Sequence, residues 1–174
     1  MSFPMKKLLL SICVISLLYM SSCKTSDEEV PAMNSIKAES ILDFDCLHNS
    51  ADVPLTIADV KKGIYGEWQL KGNVTYLPFE GELPDVKLKI SEKSTGKQLA
   101  EIYENGKLTK TMTYDLEQGQ HDKLLWVIIK PDQETFADGS YNYIKGTFRL
   151  CPNELMIDNG MAFDAPAYLY RKIK

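Results

Sequence analysis

The sequence has very little histidine and none of the common catalytic or nucleotide-binding motifs. Only His48 and His121 occur among 174 residues. A nucleophile elbow, a phosphate-binding loop, a paired-cysteine metal site and a His-Glu zinc motif are all missing from the sequence. His121 lies in the polar stretch Gln118–Asp122, where solvation is a sufficient explanation for it. The sequence therefore predicts no catalytic residue, no metal, no cofactor and no enzymatic activity.

An excess of basic residues is also missing. The chain has 20 Lys and Arg against 24 Asp and Glu, which gives a net charge of −4. Proteins that bind nucleic acids neutralise phosphates with Lys and Arg, and an acidic chain cannot gather a polyanion in this way. We therefore expect no nucleic-acid partner.

Long apolar runs are missing except near the amino terminus. Leu8–Met20 is a nearly unbroken apolar run of 13 residues, whereas a helix needs roughly 20 residues to span a bilayer. Lys6–Lys7 precedes this run, and Ser21–Ser22 follows it, directly before Cys23. A basic start, a short apolar middle and small residues at a cleavage site are typical of an export signal. Residues 1–22 are predicted to be a signal peptide.

The tetrad Met20–Cys23 resembles a lipobox, the signal that lipoprotein-processing enzymes read, with Met in place of the usual first Leu. The resemblance implies cleavage before Cys23, lipidation of its sulfur and a lipid anchor in a membrane. Each buried methylene of such a lipid adds roughly 0.8 kcal/mol to membrane binding. The mature chain would have 152 residues, with 18 basic and 24 acidic side chains and a net charge of −6. That length suits one domain.

Residues 23–36 are predicted to be a lipidated tether. Lys24–Glu29 reads KTSDEE, and a serine with three acids just after the lipidated cysteine resembles the surface-export signal of Bacteroidota lipoproteins. The resemblance implies that the protein is anchored in the outer membrane and faces the cell exterior. A solvated acidic linker explains the same residues, and the two interpretations are compatible.

Two of the four cysteines remain for the folded part of the chain. Cys13 leaves with the signal peptide and Cys23 takes the lipid, so Cys46 and Cys151 are left. Thiols exported to an oxidising compartment commonly form disulfides, and we predict that these two form one. A metal site is the competing interpretation, because Asp43, Asp45 and His48 lie near Cys46. A free buried thiol is the third.

Residues 37–62 form an N-terminal segment of mixed pattern that ends in a short helix. Thr56 and Asp59 have the spacing of a capping box, in which a hydroxyl and a carboxylate each satisfy a free backbone N–H. The spacing predicts a helix over residues 57–62 that ends at Gly63.

From Gly66 onward, apolar and polar residues alternate. Gly66, Trp68, Leu70, Gly72, Val74 and Tyr76 fall on one face of the first run. A strand sends successive side chains to opposite faces, so this period of two indicates a β-strand. Turn signals such as Asn105–Gly106 separate the runs. The pattern predicts eight strands, at residues 65–77, 86–92, 98–104, 107–117, 123–130, 141–151, 154–158 and 167–173.

Short strands with short connections and no intervening helices pair antiparallel, as a meander. Closure of such a sheet into a barrel removes its exposed edges. The predicted fold is therefore an all-β, eight-stranded antiparallel meander barrel, after a short N-terminal helix.

Two motifs resemble those of lipocalin-like barrels. Gly66-Glu67-Trp68 resembles the Gly-x-Trp motif of the first lipocalin strand, and Tyr168–Lys172 resembles the closing strand. The resemblance covers residues 63–174 and is closest to the lipocalin-like domains of Bacteroidota lipoproteins. It implies that Gly66, Trp68 and Arg171 close the barrel, with Arg171 packed over the Trp68 ring. From the alternation in the last strand, we predict that Leu169, Arg171 and Ile173 face inward.

Two functions remain open. In the first, the lipocalin-like barrel binds a small apolar molecule inside. In the second, its own side chains fill the interior and the outer surface binds a protein or a glycan. An eight-stranded barrel can be filled or can hold one small ligand. The expected interior side chains are bulky, which favours filling: Trp68, Tyr76, Leu88, Met112, Tyr114, Phe148 and Ile157.

Overall fold

The computed structural model describes residues 34–48, 55–75, 81–122, 124–132, 143–160 and 165–174. The chain divides into two units, Met1–Ala32 and Met33–Lys174, and all described residues belong to the second. The predicted signal peptide, Cys23 and most of the predicted tether lie outside the described residues. Within the described residues, no helix is long and apolar enough to cross a membrane.

The described residues before the barrel form four short elements. These are β1 (Ser35–Lys37), a 3-10 turn (Ile41–Asp43), α1 (Asp45–His48) and α2 (Ile57–Gly63). β1 lies partly within the predicted tether, so regular structure begins before residue 37. The reason is a tertiary pairing that the local sequence does not announce, since β1 pairs with a strand that comes about 45 residues later.

The helix α2 begins at the predicted cap. The Thr56 hydroxyl accepts a hydrogen bond from the Asp59 N–H, and the Asp59 carboxylate accepts one from the Thr56 N–H at 3.3 Å. Both halves of the capping box are therefore formed. The predicted helix is confirmed, with Gly63 as its last residue.

In the part of the chain that the structure describes, nine further strands follow α2. They are β2 (Gly66–Val74), β3 (Glu82–Pro84), β4 (Val86–Glu92), β5 (Gln98–Glu104), β6 (Lys107–His121), β7 (Leu124–Pro131), β8 (Gly146–Cys151), β9 (Glu154–Asp158) and β10 (Ala167–Lys172). The bounds of β4, β5 and β9 are those predicted from the alternation. β6 is longer than predicted, because its polar last residues, Gln118 to His121, pair with β7.

Eight of these strands form a closed antiparallel barrel, in the order β10-β2-β4-β5-β6-β7-β8-β9. The predicted fold class is confirmed, and closure joins the first barrel strand to the last through β2 and β10. β3 lies outside the barrel order and pairs with β1 as a separate two-stranded sheet.

The helix α2 covers one end of the barrel, which we call the helix end. Val60 and Ile64 belong to the same buried cluster as the inner side chains of the strands. The Gln118 side chain, from β6, bonds to the start of α2. It accepts a hydrogen bond from the Ile57 N–H at 3.2 Å and donates one to the Leu55 carbonyl at 3.0 Å. Hydrophobic burial and these hydrogen bonds together hold α2 across the helix end.

A β-bulge in β2 reverses the alternation that the sequence predicts. Leu169 pairs with Gly72 but Tyr170 pairs with Leu70, so Lys71 is an extra residue. A Cβ on Gly72 would lie 3.1 Å from the Leu169 Cβ and 3.3 Å from Phe44, which form the outer cluster of the barrel. The prediction that Gly72 shares a face with Trp68 is therefore wrong, and the bulge is the physical reason.

Candidate functional site

The first barrel strand positions Trp68 at the helix end. The Trp68 side chain is fully buried, and its indole N–H donates to the Ile64 carbonyl at 2.7 Å. Ile64 immediately follows α2, so this bond links the helix to the barrel core. Gly66 starts the same strand with φ of 133°, a backbone conformation open mainly to glycine. The backbone of Lys174 lies where a side chain of residue 66 would project.

Lys172, not Arg171, lies over the Trp68 ring. The Lys172 Nζ is 5.1 Å from the ring centroid and donates to the Gly63 carbonyl at 3.0 Å. Lys172 also pairs directly with Trp68 in the register of β10 against β2. Lys172 lies on the same face of β10 as Tyr168 and Tyr170, which belong to the inner core.

The predicted inward position of Arg171 is wrong. Leu169 lies on the same face of β10 as Arg171. It packs in the outer cluster with Phe44, Met156 and Ala167 rather than in the barrel core. Ile173, the third residue of that face, is 45% exposed. The two faces of β10 are both apolar because the N-terminal segment covers the outer one. The alternation therefore could not indicate which face is inner.

Arg171 lies at the centre of a polar network on the outer face of the barrel. Its guanidinium forms an ion pair with Glu154, another with Glu39 at 3.0 Å, and a hydrogen bond of 2.8 Å to the Asp43 carbonyl. The Glu154 side chain is only 6% exposed and also accepts from the Cys46 N–H at 2.8 Å. A buried carboxylate is tolerated when it is paired in this way. The network fastens the N-terminal segment to β9 and β10.

The predicted disulfide between Cys46 and Cys151 is confirmed. Their Cα atoms are 5.5 Å apart, within the range for a disulfide, and the bond joins α1 to the end of β8. The metal-site interpretation of Asp43, Asp45, Cys46 and His48 fails, because the Cys46 sulfur is already bonded to Cys151. In the part of the chain that the structure describes, no group of three His, Cys, Asp or Glu could hold a metal ion.

Large side chains occupy the barrel interior. Six of the seven predicted interior residues are buried, and the seventh, Tyr76, lies outside the described residues. Trp68, Tyr114, Tyr170 and Phe148 are at most 1% exposed, and they belong to one buried cluster to which every barrel strand contributes side chains. Over the described residues, the interior is a packed core of the protein's own side chains.

One polar atom inside this core is unpartnered. The Tyr114 hydroxyl is buried and has no hydrogen-bond partner among the described residues. Burial, with a smaller contribution from nearby Tyr65, raises the pKa of the Tyr114 phenol well above its ordinary value. In contrast, the equally buried Tyr170 hydroxyl donates to the Tyr143 carbonyl at 3.0 Å. Tyr114 thus provides one unused hydrogen-bonding group in the interior.

A pocket of about 380 Å³ opens at the helix end, beside Trp68. Its wall combines apolar and polar groups from the end of α2, the turn between β8 and β9, and the end of β10. The lining residues are Gly63, Trp68, Leu150, Cys151, Pro152, Asn153 and Lys172. We call this the helix-end pocket. The sequence analysis did not find it, because its walls come from three separate parts of the chain.

Neither histidine lies in this pocket. His121 is exposed at the tip of the hairpin between β6 and β7, and its Nε2 lies 3.8 Å from the Asp122 carboxylate. His48 is the last residue of α1. A second, smaller pocket of about 280 Å³ lies on the barrel wall and is lined by Glu67, Lys87, Leu88, Lys89, Tyr103 and Gly106.

Searches of protein-family models, of curated proteins and of solved structures give no match for this chain. The arrangement of the described residues is therefore the basis on which its function is inferred.

Proposed function

We propose that this chain is a membrane-anchored lipoprotein whose barrel is a rigid binding module that recognises its partner from outside, not within a central cavity. The observation that carries the proposal is the packed interior. The side chains that would line a lipocalin cavity, among them Trp68, Tyr114 and Phe148, are buried against one another instead. Opening a cavity there would forfeit their packing, at roughly 2–5 kcal/mol for each large side chain displaced.

The membrane part of the proposal rests on the sequence. Because Met20–Cys23 resembles a lipobox, Cys23 would carry the lipid. The acidic stretch Asp27–Glu29 would be the signal for display on the cell exterior. A barrel fastened to its N-terminal segment by a disulfide suits an exposed position, because a disulfide stabilises the folded state.

The anchor is tested with Cys23→Ala, which we expect to remain unprocessed or to leave the membrane fraction and to take up no labelled palmitate. Replacement of Asp27, Glu28 and Glu29 by alanine should move the protein from the cell exterior to the periplasmic side. Thr25→Ala is the matched control within the tether. Unchanged protease shaving of intact cells carrying the triple variant would refute surface display.

The packed interior is tested with the neutral apolar probe 1-N-phenylnaphthylamine. We expect no saturable fluorescence enhancement, because the described interior side chains are buried against one another in one cluster. A second candidate function, binding of a small apolar molecule inside the barrel, is favoured by one observation, the unpartnered Tyr114 hydroxyl. Saturable one-to-one binding of the neutral probe that is weakened in Tyr114→Phe would support that function and overturn the first.

A further inference from the structure

We propose that the helix-end pocket binds a small organic anion that carries an apolar group. The proposal rests on the proposed function, a binding module that works from its outside, and gives that module a site and a ligand class. The pocket has a volume of about 380 Å³, and small-molecule sites in proteins have volumes of roughly 300–1,000 Å³.

The cationic side of the pocket is Lys172. In the described residues its ammonium group has no carboxylate within ion-pair distance; Glu67, in the neighbouring strand, pairs with Lys174 at 3.7 Å. An ammonium has three N–H donors. One N–H donates to the Gly63 carbonyl, with the nitrogen 3.0 Å from the oxygen. The ammonium nitrogen also lies 5.1 Å from the centroid of the Trp68 ring, so a second N–H can point towards that ring. The charge and a remaining donor are available to an anion in the pocket that Lys172 lines.

A purely structural role explains Lys172 only in part. The bond to the Gly63 carbonyl caps the end of α2, and cations stabilise helix carboxyl ends. That role needs neither a pocket next to the ammonium nor apolar groups around it. The pocket is also lined by the apolar residues Leu150 and Pro152, next to the buried Trp68. These surfaces suit the apolar part of the ligand.

Asn153 supplies a second polar group. It lies in the turn between β8 and β9, with φ of 61°, and its carbonyl accepts from the Lys172 N–H at 2.9 Å. The residue is exposed and is one of those that line the pocket. An amide N–H beside an ammonium gives two donors for one carboxylate or sulfonate. Charge-assisted bonds of this kind are the stronger class of hydrogen bond.

The test uses 4-phenylbutyrate as the probe and the neutral 4-phenylbutanol as its matched control. In a Trp126→Phe background Trp68 is the only tryptophan, since the chain has two, and its fluorescence reports on the pocket. We expect saturable quenching by 4-phenylbutyrate, and at least about tenfold weaker binding of 4-phenylbutanol, because the alcohol lacks the charge. Amide NMR shifts should be largest at Gly63, Asn153 and Lys172.

The variants separate binding from capping. Lys172→Met should weaken 4-phenylbutyrate binding about tenfold or more, whereas Lys172→Arg should retain it within about threefold. Asn153→Gly keeps the left-handed turn, removes the amide and should weaken binding severalfold. Lys174→Met, which removes a cation outside the pocket, should leave binding unchanged. The thermal midpoint of each variant shows that it is folded.

The proposal is overturned if 4-phenylbutyrate causes no quenching and no amide shifts up to about 5 mM, a concentration at which even weak sites fill. It is also overturned if the alcohol binds as tightly, if Lys172→Met binds as well as the parent, or if the shifts map to the wall pocket around Tyr103. None of these outcomes bears on the packed interior, which the neutral naphthylamine probe tests separately.

Discussion

The guanidinium carbon of Arg171 lies 4.3 Å from the centroid of the Phe44 ring, on the outside of the barrel. The two residues are far apart in sequence, and their contact joins the last strand to the segment before α1. A cation over an aromatic face contributes about 0.5–2 kcal/mol. Together with the ion pair to the buried Glu154, it makes Arg171 the main polar attachment of the N-terminal segment.

We expect Arg171→Met to destabilise the protein by about 2–4 kcal/mol, because it leaves the Glu154 carboxylate buried without its cation. Lys130→Met is the matched control. Its partner Glu117 is 2.6 Å away, both side chains are 51% exposed, and such surface pairs contribute under about 1 kcal/mol. Urea unfolding measures both. The effects of Arg171→Met and Glu154→Gln should not add, because the two residues share one interaction. Equal losses in Arg171→Met and Lys130→Met would contradict this role.

Removal of the disulfide should cost up to about 4–5 kcal/mol in the chain-entropy model, because it connects residues separated by 105 positions. The measurement is the unfolding free energy of the Cys46→Ala, Cys151→Ala double variant, and reduction of the parent with dithiothreitol should reproduce it. In a chain with Cys13 and Cys23 replaced by serine, thiol titration in denaturant should find no free thiol. Two thiols in that titration would exclude the bond.

Tyr114→Phe should leave stability at pH 7 unchanged or raise it by up to about 1 kcal/mol, because it removes a buried hydroxyl that lacks a partner. Tyr170→Phe is the control, since it loses the bond to the Tyr143 carbonyl and should cost about 1 kcal/mol. Thermal or urea unfolding at pH 7 distinguishes the two. Equal losses would mean that the Tyr114 hydroxyl has a partner in solution.

The same tyrosine should make the fold sensitive to alkali. Burial raises the pKa of the Tyr114 phenol in the folded chain, whereas in the unfolded chain the phenol ionises near pH 10. Above that pH the unfolded state loses a proton that the folded state keeps, so stability falls as pH rises. In Tyr114→Phe the decline in unfolding free energy above pH 10 should be shallower. An unchanged slope would contradict the prediction.

Trp68→Ala should destabilise the barrel by about 3–5 kcal/mol, as truncation of a large core side chain. Trp68→Phe should lose less, because it keeps most of the packing but loses the indole bond to the Ile64 carbonyl. Trp126→Phe, at a half-buried position on β7, should cost under about 1.5 kcal/mol. Unfolding curves for the three variants give the comparison, and a Trp68→Ala loss near that of Trp126→Phe would contradict a core position.

The alternation of apolar and polar residues, with a period of two, predicted most of the barrel strands. Alternation located β4, β5 and β9 to the residue, because a half-buried strand has to separate apolar from polar side chains. The Thr56 capping box located α2 for an equally local reason, since the cap and its partner are three residues apart. The pairing of Cys46 with Cys151 was predicted from thiol chemistry and the predicted export, with Cys13 and Cys23 predicted to have other fates.

Local pattern failed where a contact came from a distant segment. The bulge at Lys71 depends on how β2 pairs with β10, so it changed the face of Gly72 without any change in the apolar pattern. β1 pairs with β3, and its three residues are too few for their alternation to predict a strand.

The sequence by itself determined the strand periodicity, the helix cap and the chemistry available to the cysteines, because each depends on residues close together or on composition. Only the tertiary structure decided that Tyr168, Tyr170 and Lys172 face inward while Leu169 and Arg171 face the N-terminal segment. Both faces of β10 are buried, one by the barrel core and the other by Phe44 and its neighbours. A strand buried on both sides has no polar face to show which side is which.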